Sequence, residues 1–308
     1  MITTVTLNVA IDKSYIISEL KKDEVMRVQD CKVTPGGKGL NVARIVKLCG
    51  EDVLATGFIG GHAGAYVKEM LDEQQIPNNF VHTASETRTC INVLDEEGNS
   101  TEFLEPGASV SDKDIEGFLK KFEQIIDESE VITISGSTPR GVETDIYAKL
   151  IQMVKQKNKK VILDTSGDLL KESITAEPSI IKPNTDEVQN LLSVSDDNWE
   201  KFVDEAKQLQ GLGIETVVIS LGEKGALVVS EEGLFHGKPP RISPVNTVGS
   251  GDSMVAALAV GLKRNYSIED MLKYAISVST ANALTMTTGS FKEEDRKKLY
   301  DQINVKRL

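Results

Sequence analysis

The chain has 308 residues, a length that suits one large domain with or without a small appended one, and 40% of them are hydrophobic, enough for a sizeable core. A net charge of -12 with scattered Lys and Arg speaks against a nucleic-acid binder, and no run of 18 apolar residues offers a membrane span. Three cysteines without a CxxC pair and three histidines without ligand spacing argue against a disulfide framework or a zinc site, so reduced thiols in a cytoplasmic protein are expected.

Met1 runs directly into a strand pattern at Ile2–Asn8, so no secretory leader is expected. Asp12 reads as the end of that first strand, where it can accept hydrogen bonds from a ligand's hydroxyls. Short, continuous runs rich in β-branched residues follow at Val53–Ile59, Val131–Ile134, Val161–Leu163 and Thr216–Ser220. Strands of that kind are buried on both faces. Helical patterns lie between them at Leu40–Leu48, Asp112–Ile126, Ile146–Lys157 and Trp199–Leu209. The alternation predicts an α/β fold with a mostly parallel sheet covered by helices on both sides.

Two stretches break this rhythm. Residues 13–33 and 86–104 are polar with strand-like alternation, and Asp95–Asn99 is a hairpin signal between Cys90–Leu94 and Ser100–Leu104. They predict a small separate sheet, inserted as a lid over the mouth of the main one. Ser253–Leu262 and Met271–Met286 read as helices rich in Ala, Ser and Thr, which pack closely.

Five glycine- or asparagine-bearing turns carry the candidate chemistry. Pro35-Gly36-Gly37-Lys38-Gly39-Leu40-Asn41 opens a helix, yet it is neither a P-loop nor a dinucleotide fingerprint. Ser135-Gly136-Ser137-Thr138-Pro139-Arg140-Gly141 follows a buried strand, and Arg140 and Arg88 are candidates for gripping a phosphate. Lys182-Pro183-Asn184-Thr185-Asp186-Glu187 has capping-box spacing, and Asn184 with Glu187 is equally a candidate pair for a hydrated Mg²⁺. Ser220-Leu221-Gly222-Glu223-Lys224-Gly225 lies beyond the carboxyl end of a strand, the place where open α/β sheets bind ligands, or is a plain hairpin turn.

The strongest signal is Asn246-Thr247-Val248-Gly249-Ser250-Gly251-Asp252-Ser253, followed by an apolar helix. Glycines let the backbone approach a ligand, and the helix start presents unpaired amides with the positive end of its dipole. Asp252 there is either a helix cap or a base beside an anion hole.

Together these segments resemble the ribokinase-like (PfkB) carbohydrate kinases over essentially the whole chain: Gly36–Arg44 is similar to the family's first signature and Asn246–Ser253 to its second. The resemblance implies a ribokinase-like three-layer α/β/α sandwich, a single kinase domain over 1–308 with the lid segments inserted, and ATP with Mg²⁺ as requirements. A monovalent cation and a homodimer through the lid are further expectations. It implies Asp252 as catalytic base with Gly249, Ser250 and Gly251 as the anion hole. Asp12, Gly37, Lys38, Asn41, Arg88, Ser137 and Arg140 would bind a sugar phosphate. Lys182, Asn184, Ser220, Gly222, Glu223, Gly225, Thr247 and Asn282 would serve the nucleotide, and Asn184 with Glu187 the metal. The signature often has Ala where Ser250 stands here, a change that keeps the side chain small. Thr87–Ile91, Thr101–Glu105 and Tyr300–Lys306 lean toward members that phosphorylate tagatose 6-phosphate over those that phosphorylate fructose 1-phosphate.

Overall fold

The computed structural model describes residues 1–192 and 199–308. In chain order the elements are β1 (Ile2–Thr6), β2 (Ala10–Ile16), β3 (Asp30–Gly36), α1 (Lys38–Leu48), β4 (Val53–Gly60), α2 (Gly61–Glu73), β5 (Val81–Thr83), β6 (Arg88–Leu94) and β7 (Ser100–Leu104). Then come α3 (Asp112–Glu128), β8 (Val131–Ser135), α4 (Ile146–Gln156), β9 (Lys160–Asp164), α5 (Gly167–Ser173), β10 (Ile180–Ile181), α6 (Thr185–Leu192) and α7 (Trp199–Gln210). The chain closes with β11 (Thr216–Ser220), β12 (Ala226–Ser230), β13 (Gly233–Lys238), α8 (Ser250–Lys263), α9 (Ile268–Ala283), α10 (Glu293–Gln302) and β14 (Asn304–Arg307).

The large sheet runs β14-β13-β12-β11-β10-β9-β8-β1-β4-β5 among the described residues. It is parallel from β11 to β5 and antiparallel from β11 outward to β14. Successive strand residues feed opposite cores. Ile162, Ile180 and Val218 pack in one layer with α1, α8 and α9, while Val161, Leu163, Ile181 and Val217 pack in the other with α3, α4 and α7. Burial on both sides is why these strands read as unbroken apolar runs. The result is a three-layer α/β/α sandwich, as the ribokinase-like resemblance implies. Among the described residues no helix is long and apolar enough to cross a membrane.

The polar stretches form a second sheet, β3-β2-β6-β7, in which β2 lies antiparallel to β3 and parallel to β6. Asp95 and Asn99 close the β6–β7 hairpin, with the Asn99 amide donating to Asp95 Oδ1 at 2.8 Å. One expectation changes here. The first strand ends at Thr6, and Asp12 belongs to β2 of the small sheet, opposite Thr34 and Cys90. The chain leaves the large sheet after Thr6, and β2 finds its partners in β3 and β6, which come later in the sequence.

Candidate active site

The carboxyl ends of β1, β8 and β9, the starts of α1 and α8, and the inner face of the small sheet enclose a cleft of about 570 Å³. At its floor stands Asp252, in the first turn of α8 and 6% exposed. It does not cap its own helix. Gly249 takes the N-cap position in the left-handed region at φ 80°, with no side-chain cap. Ser253 is not a cap either, since its hydroxyl donates back to the Gly249 carbonyl at 2.8 Å. The first intrahelical bond runs from the Ser253 amide to the Gly249 carbonyl. Among the described residues the amides of Gly251 and Asp252 therefore have no backbone acceptor, and they form a small positive pole.

The Asp252 carboxylate is held from another helix. Asn41 Nδ2 donates to its Oδ2 at 2.7 Å. Burial pushes the Asp252 carboxyl up to about 6; Lys38, Lys182 and the Asn41 hydrogen bond oppose that rise, and Asp164 adds to it. The charges balance across the cleft floor. Asp164, at the end of β9 and 2% exposed, lies between Lys182 Nζ at 3.2 Å and Lys38 Nζ at 3.4 Å. Burial alone would raise the Asp164 carboxyl, but Lys182 and Lys38 outweigh it and hold it below the usual carboxylate range. Lys182 is 5% exposed, whereas 41% of the Lys38 side chain is open to the cleft. Asp164 pulls Lys38 well above the ordinary lysine range.

The sugar-side candidates meet along one wall. The Asp12 carboxyl lies over Gly36, where a Cβ would stand 2.2 Å from it. Burial raises its pKa against the opposing charges of Arg44 and Arg88. Arg88 donates to the carbonyls of Glu105 at 2.7 Å and Asn8 at 3.1 Å. Ser137 accepts from Asn8 Nδ2 at 3.0 Å. All three line the cleft with Gly37, Lys38 and Asn41. Arg140 does not line it. That residue is exposed, and its carbonyl accepts from the Val110 amide.

Opposite, Ser220, Lys182, Asn184 and Glu187 line the cleft. Asn184 and Glu187 form a reciprocal cap on α6: Asn184 Oδ1 accepts from the Glu187 amide at 2.8 Å, and Glu187 Oε2 from the Asn184 amide at 2.9 Å. Gly222, Glu223 and Gly225 belong to the tight turn of the β11–β12 hairpin, outside the cleft lining. Thr247, Ser250 and Asn282 stand behind the turn that opens α8, outside the cleft lining. Asn282 donates to the Val248 carbonyl and Ser250 Oγ and accepts from the Gly289 and Ser290 amides, lacing two loops together.

Sequence reasoning missed Asp164 and the 286–288 loop, which also lines the cleft. Asp164 was findable in principle, because it ends a buried parallel strand.

The family profile for pfkB family carbohydrate kinases matches residues 5–295. Phosphofructokinase-2 from Escherichia coli, solved in complex with potassium, is 28% identical over 98% of each chain with a TM-score of 0.90. The same enzyme has been solved in complex with fructose-6-phosphate. A protein from Thermotoga maritima described as a possible 1-phosphofructokinase is 27% identical over 100% of this chain and 99% of its own, with a TM-score of 0.92. The chain therefore belongs to the pfkB family of carbohydrate kinases and is an ATP-dependent sugar kinase.

Proposed function

We propose that this kinase transfers the γ-phosphoryl group of ATP to a hydroxyl of a ketohexose phosphate, D-tagatose 6-phosphate, giving D-tagatose 1,6-bisphosphate. The observation that carries the reading is a buried carboxylate, Asp252, beside the unpaired amides at the start of α8. A carboxyl raised to about 6 is ionised at neutral pH yet basic enough to take a hydroxyl proton. The amides of Gly251 and Asp252 stand ready for the charge on the transferring group, and Lys182, whose Nζ lies 3.5 Å from where a Cβ on Gly251 would be, adds a cation there. Asp12 and Asn41 orient the sugar. Arg88, with Lys32 and Lys13 on the same wall, receives its phosphate, a role that passes over Arg140 because that side chain lies outside the cleft lining.

The metal donors are sparse. After capping α6, Glu187 retains one carboxylate oxygen, and no group of three His, Cys, Asp or Glu converges among the described residues. That set fits a hydrated Mg²⁺ carried mainly by nucleotide phosphates, with Glu187 and Asn184 reaching it through water. When bound, the ion neutralises phosphate charge.

A second reading, transfer to fructose 1-phosphate, is favoured by the similarity to the Thermotoga protein. A coupled ADP-release assay across tagatose 6-phosphate, fructose 1-phosphate and fructose 6-phosphate separates the readings by kcat/KM. Asp252→Asn is expected to lower kcat by roughly 10²- to 10⁴-fold while nucleotide binding persists; near wild-type turnover would defeat the assignment. We also infer that the small sheet closes over the bound sugar as a lid and pairs two copies of this cytoplasmic enzyme. Hydrogen exchange over 13–33 and 86–104, and sedimentation, each with and without sugar phosphate, test that; no change in either would count against it.

A further inference from the structure

Arg44 lies one turn beyond Asn41 on α1, among Leu40, Val42, Ala43, Ile45 and Val46, and is itself 7% exposed. A guanidinium in such a place is not explained by packing, since apolar side chains fill buried sites at least as well as ions do. Its Nε has no acceptor among the described residues. Its other nitrogens reach two other segments and its own helix: Nη1 donates to the Pro35 carbonyl, and Nη2 to the Thr288 carbonyl at 2.8 Å and to Asn41 Oδ1 at 2.5 Å. Gly289, at φ 66°, leaves the room: a Cβ there would stand 2.7 Å from Nη2.

The bond to Asn41 Oδ1 has a chemical consequence. A carboxamide has two ends of nearly the same shape, one donating and one accepting. With a guanidinium on the oxygen, the amino end must face the other way, toward Asp252, where Nδ2 donates to Oδ2 at 2.7 Å. Oδ2 is thereby engaged, and Oδ1 remains to receive a proton. The charged groups facing Asp252 are Lys38 from α1, Asp164 from β9 and Lys182 from the segment after β10; those facing Arg44 are Asp12 from β2 and Asp252 from α8. Burial lowers Arg44 to about 10 against those two carboxylates, so it stays charged at neutral pH.

We propose that Arg44 is a positioning residue of this kinase, which through the Asn41 amide fixes the oxygen of Asp252 that takes the proton. The proposal rests on Asp252 being the base. The test is a mutant cycle of Arg44→Met, Asn41→Ala and their combination, with Asp252→Asn assayed beside it and folding followed by thermal melts. Arg44→Met is expected to lower kcat by about a hundredfold, the scale of a misplaced reacting group. The acidic limb of its kcat/KM profile should move up by about one pH unit, because a cation and an oriented donor are both lost. Because Arg44 acts through Asn41, the double variant should be no slower than Asn41→Ala alone.

Multiplying effects in the double variant, or an unmoved acidic limb with wild-type kcat, would overturn the proposal while leaving the base in place. Turnover in Asp252→Asn would overturn both. If Arg44→Met does not fold, Arg44→Lys serves in the same cycle. It keeps the charge without the three-way fork, so the limb should stay near its wild-type position while kcat falls by about tenfold, and multiplying effects with Asn41→Ala would again reject it.

Discussion

Helices α3 and α8 begin in opposite ways. At the surface, Ser111 Oγ accepts from the Asp114 amide at 3.3 Å and Asp114 Oδ2 accepts from the Ser111 amide at 3.2 Å, so α3 closes its own first turn. At the cleft, α8 starts on Gly249 with no side-chain cap, and its acidic first-turn residue bonds to Asn41 of another helix. Helix α1 repeats the pattern, starting on Gly37 at φ 99° without a cap. A missing cap costs about 1 kcal/mol as a rule. Helices α4 and α10, away from the cleft, also start without a side-chain cap, so what sets α1 and α8 apart is that their two uncapped starts flank the buried Asp252 carboxylate. Helix α6, also at the cleft, shows that proximity alone does not leave a helix uncapped: Asn184 and Glu187 close it.

The largest break in that contrast is expected from Gly251→Ala. A Cβ there meets only Lys182, at 3.5 and 3.9 Å, which is ordinary contact. Gly251 is helical, so alanine should hold or raise stability, by up to about 1 kcal/mol. The methyl group nevertheless stands 3.5 Å from the Lys182 ammonium, on the residue whose own amide is unpaired. A fall in kcat on the order of a hundredfold is expected, the scale of losing one preorganised donor. Melting and steady-state kinetics on one preparation decide it; full activity in the stabilised variant would mean that the uncapped start is not the phosphoryl site.

Asp252 itself tests whether the site is held at a cost in stability. Its carboxyl stands at about 6 when folded, against 3.8 for the free group, chiefly through burial. A raised pKa means that folding takes up a proton between those values. The stabilisation from the protonated form is therefore lost as pH rises from about 4 to about 6, and above that the folded state carries a constant penalty. That penalty is at most about 3 kcal/mol for a shift of about two units. Asp252→Asn should accordingly melt higher than wild type at pH 7.5, with the difference vanishing below pH 4. Equal melting at pH 7.5 would mean that the carboxylate is comfortable where it is.

Legibility followed distance along the chain. Gly249, Gly251 and Asp252 lie within four residues, and their combined meaning is local, so the turn could be read directly. The same holds for the parallel strands, whose burial on both faces writes itself into short stretches such as Val161–Leu163. Asp164 gains its importance from Lys38, 126 positions away, and Arg44 from Thr288, 244 positions away. No local pattern announces such meetings, although a lone Arg inside Leu40–Val46 was a hint. Arg140 shows the other direction. It is three residues from Ser137 in sequence, but the backbone there bridges to Ser109, and the side chain does not reach the cleft lining.

The smallest effect belongs to the other side of the comparison. Ser111→Ala removes the cap of α3 and strands Asp114 without its reciprocal hydroxyl, which now donates to Asp114 Oδ2 at 2.6 Å. A loss of about 1 kcal/mol is expected, a few degrees in melting temperature, with kcat and KM unchanged because Ser111 is not among the cleft-lining residues. The paired result matters more than either half. A surface start that affects only melting, set against a cleft start that affects only turnover, would show that this chain separates the two uses of a helix N-terminus. If Ser111→Ala slowed catalysis as well, α3 would be coupled to the cleft through β8, and the division drawn between closed and open helix starts would have to be abandoned.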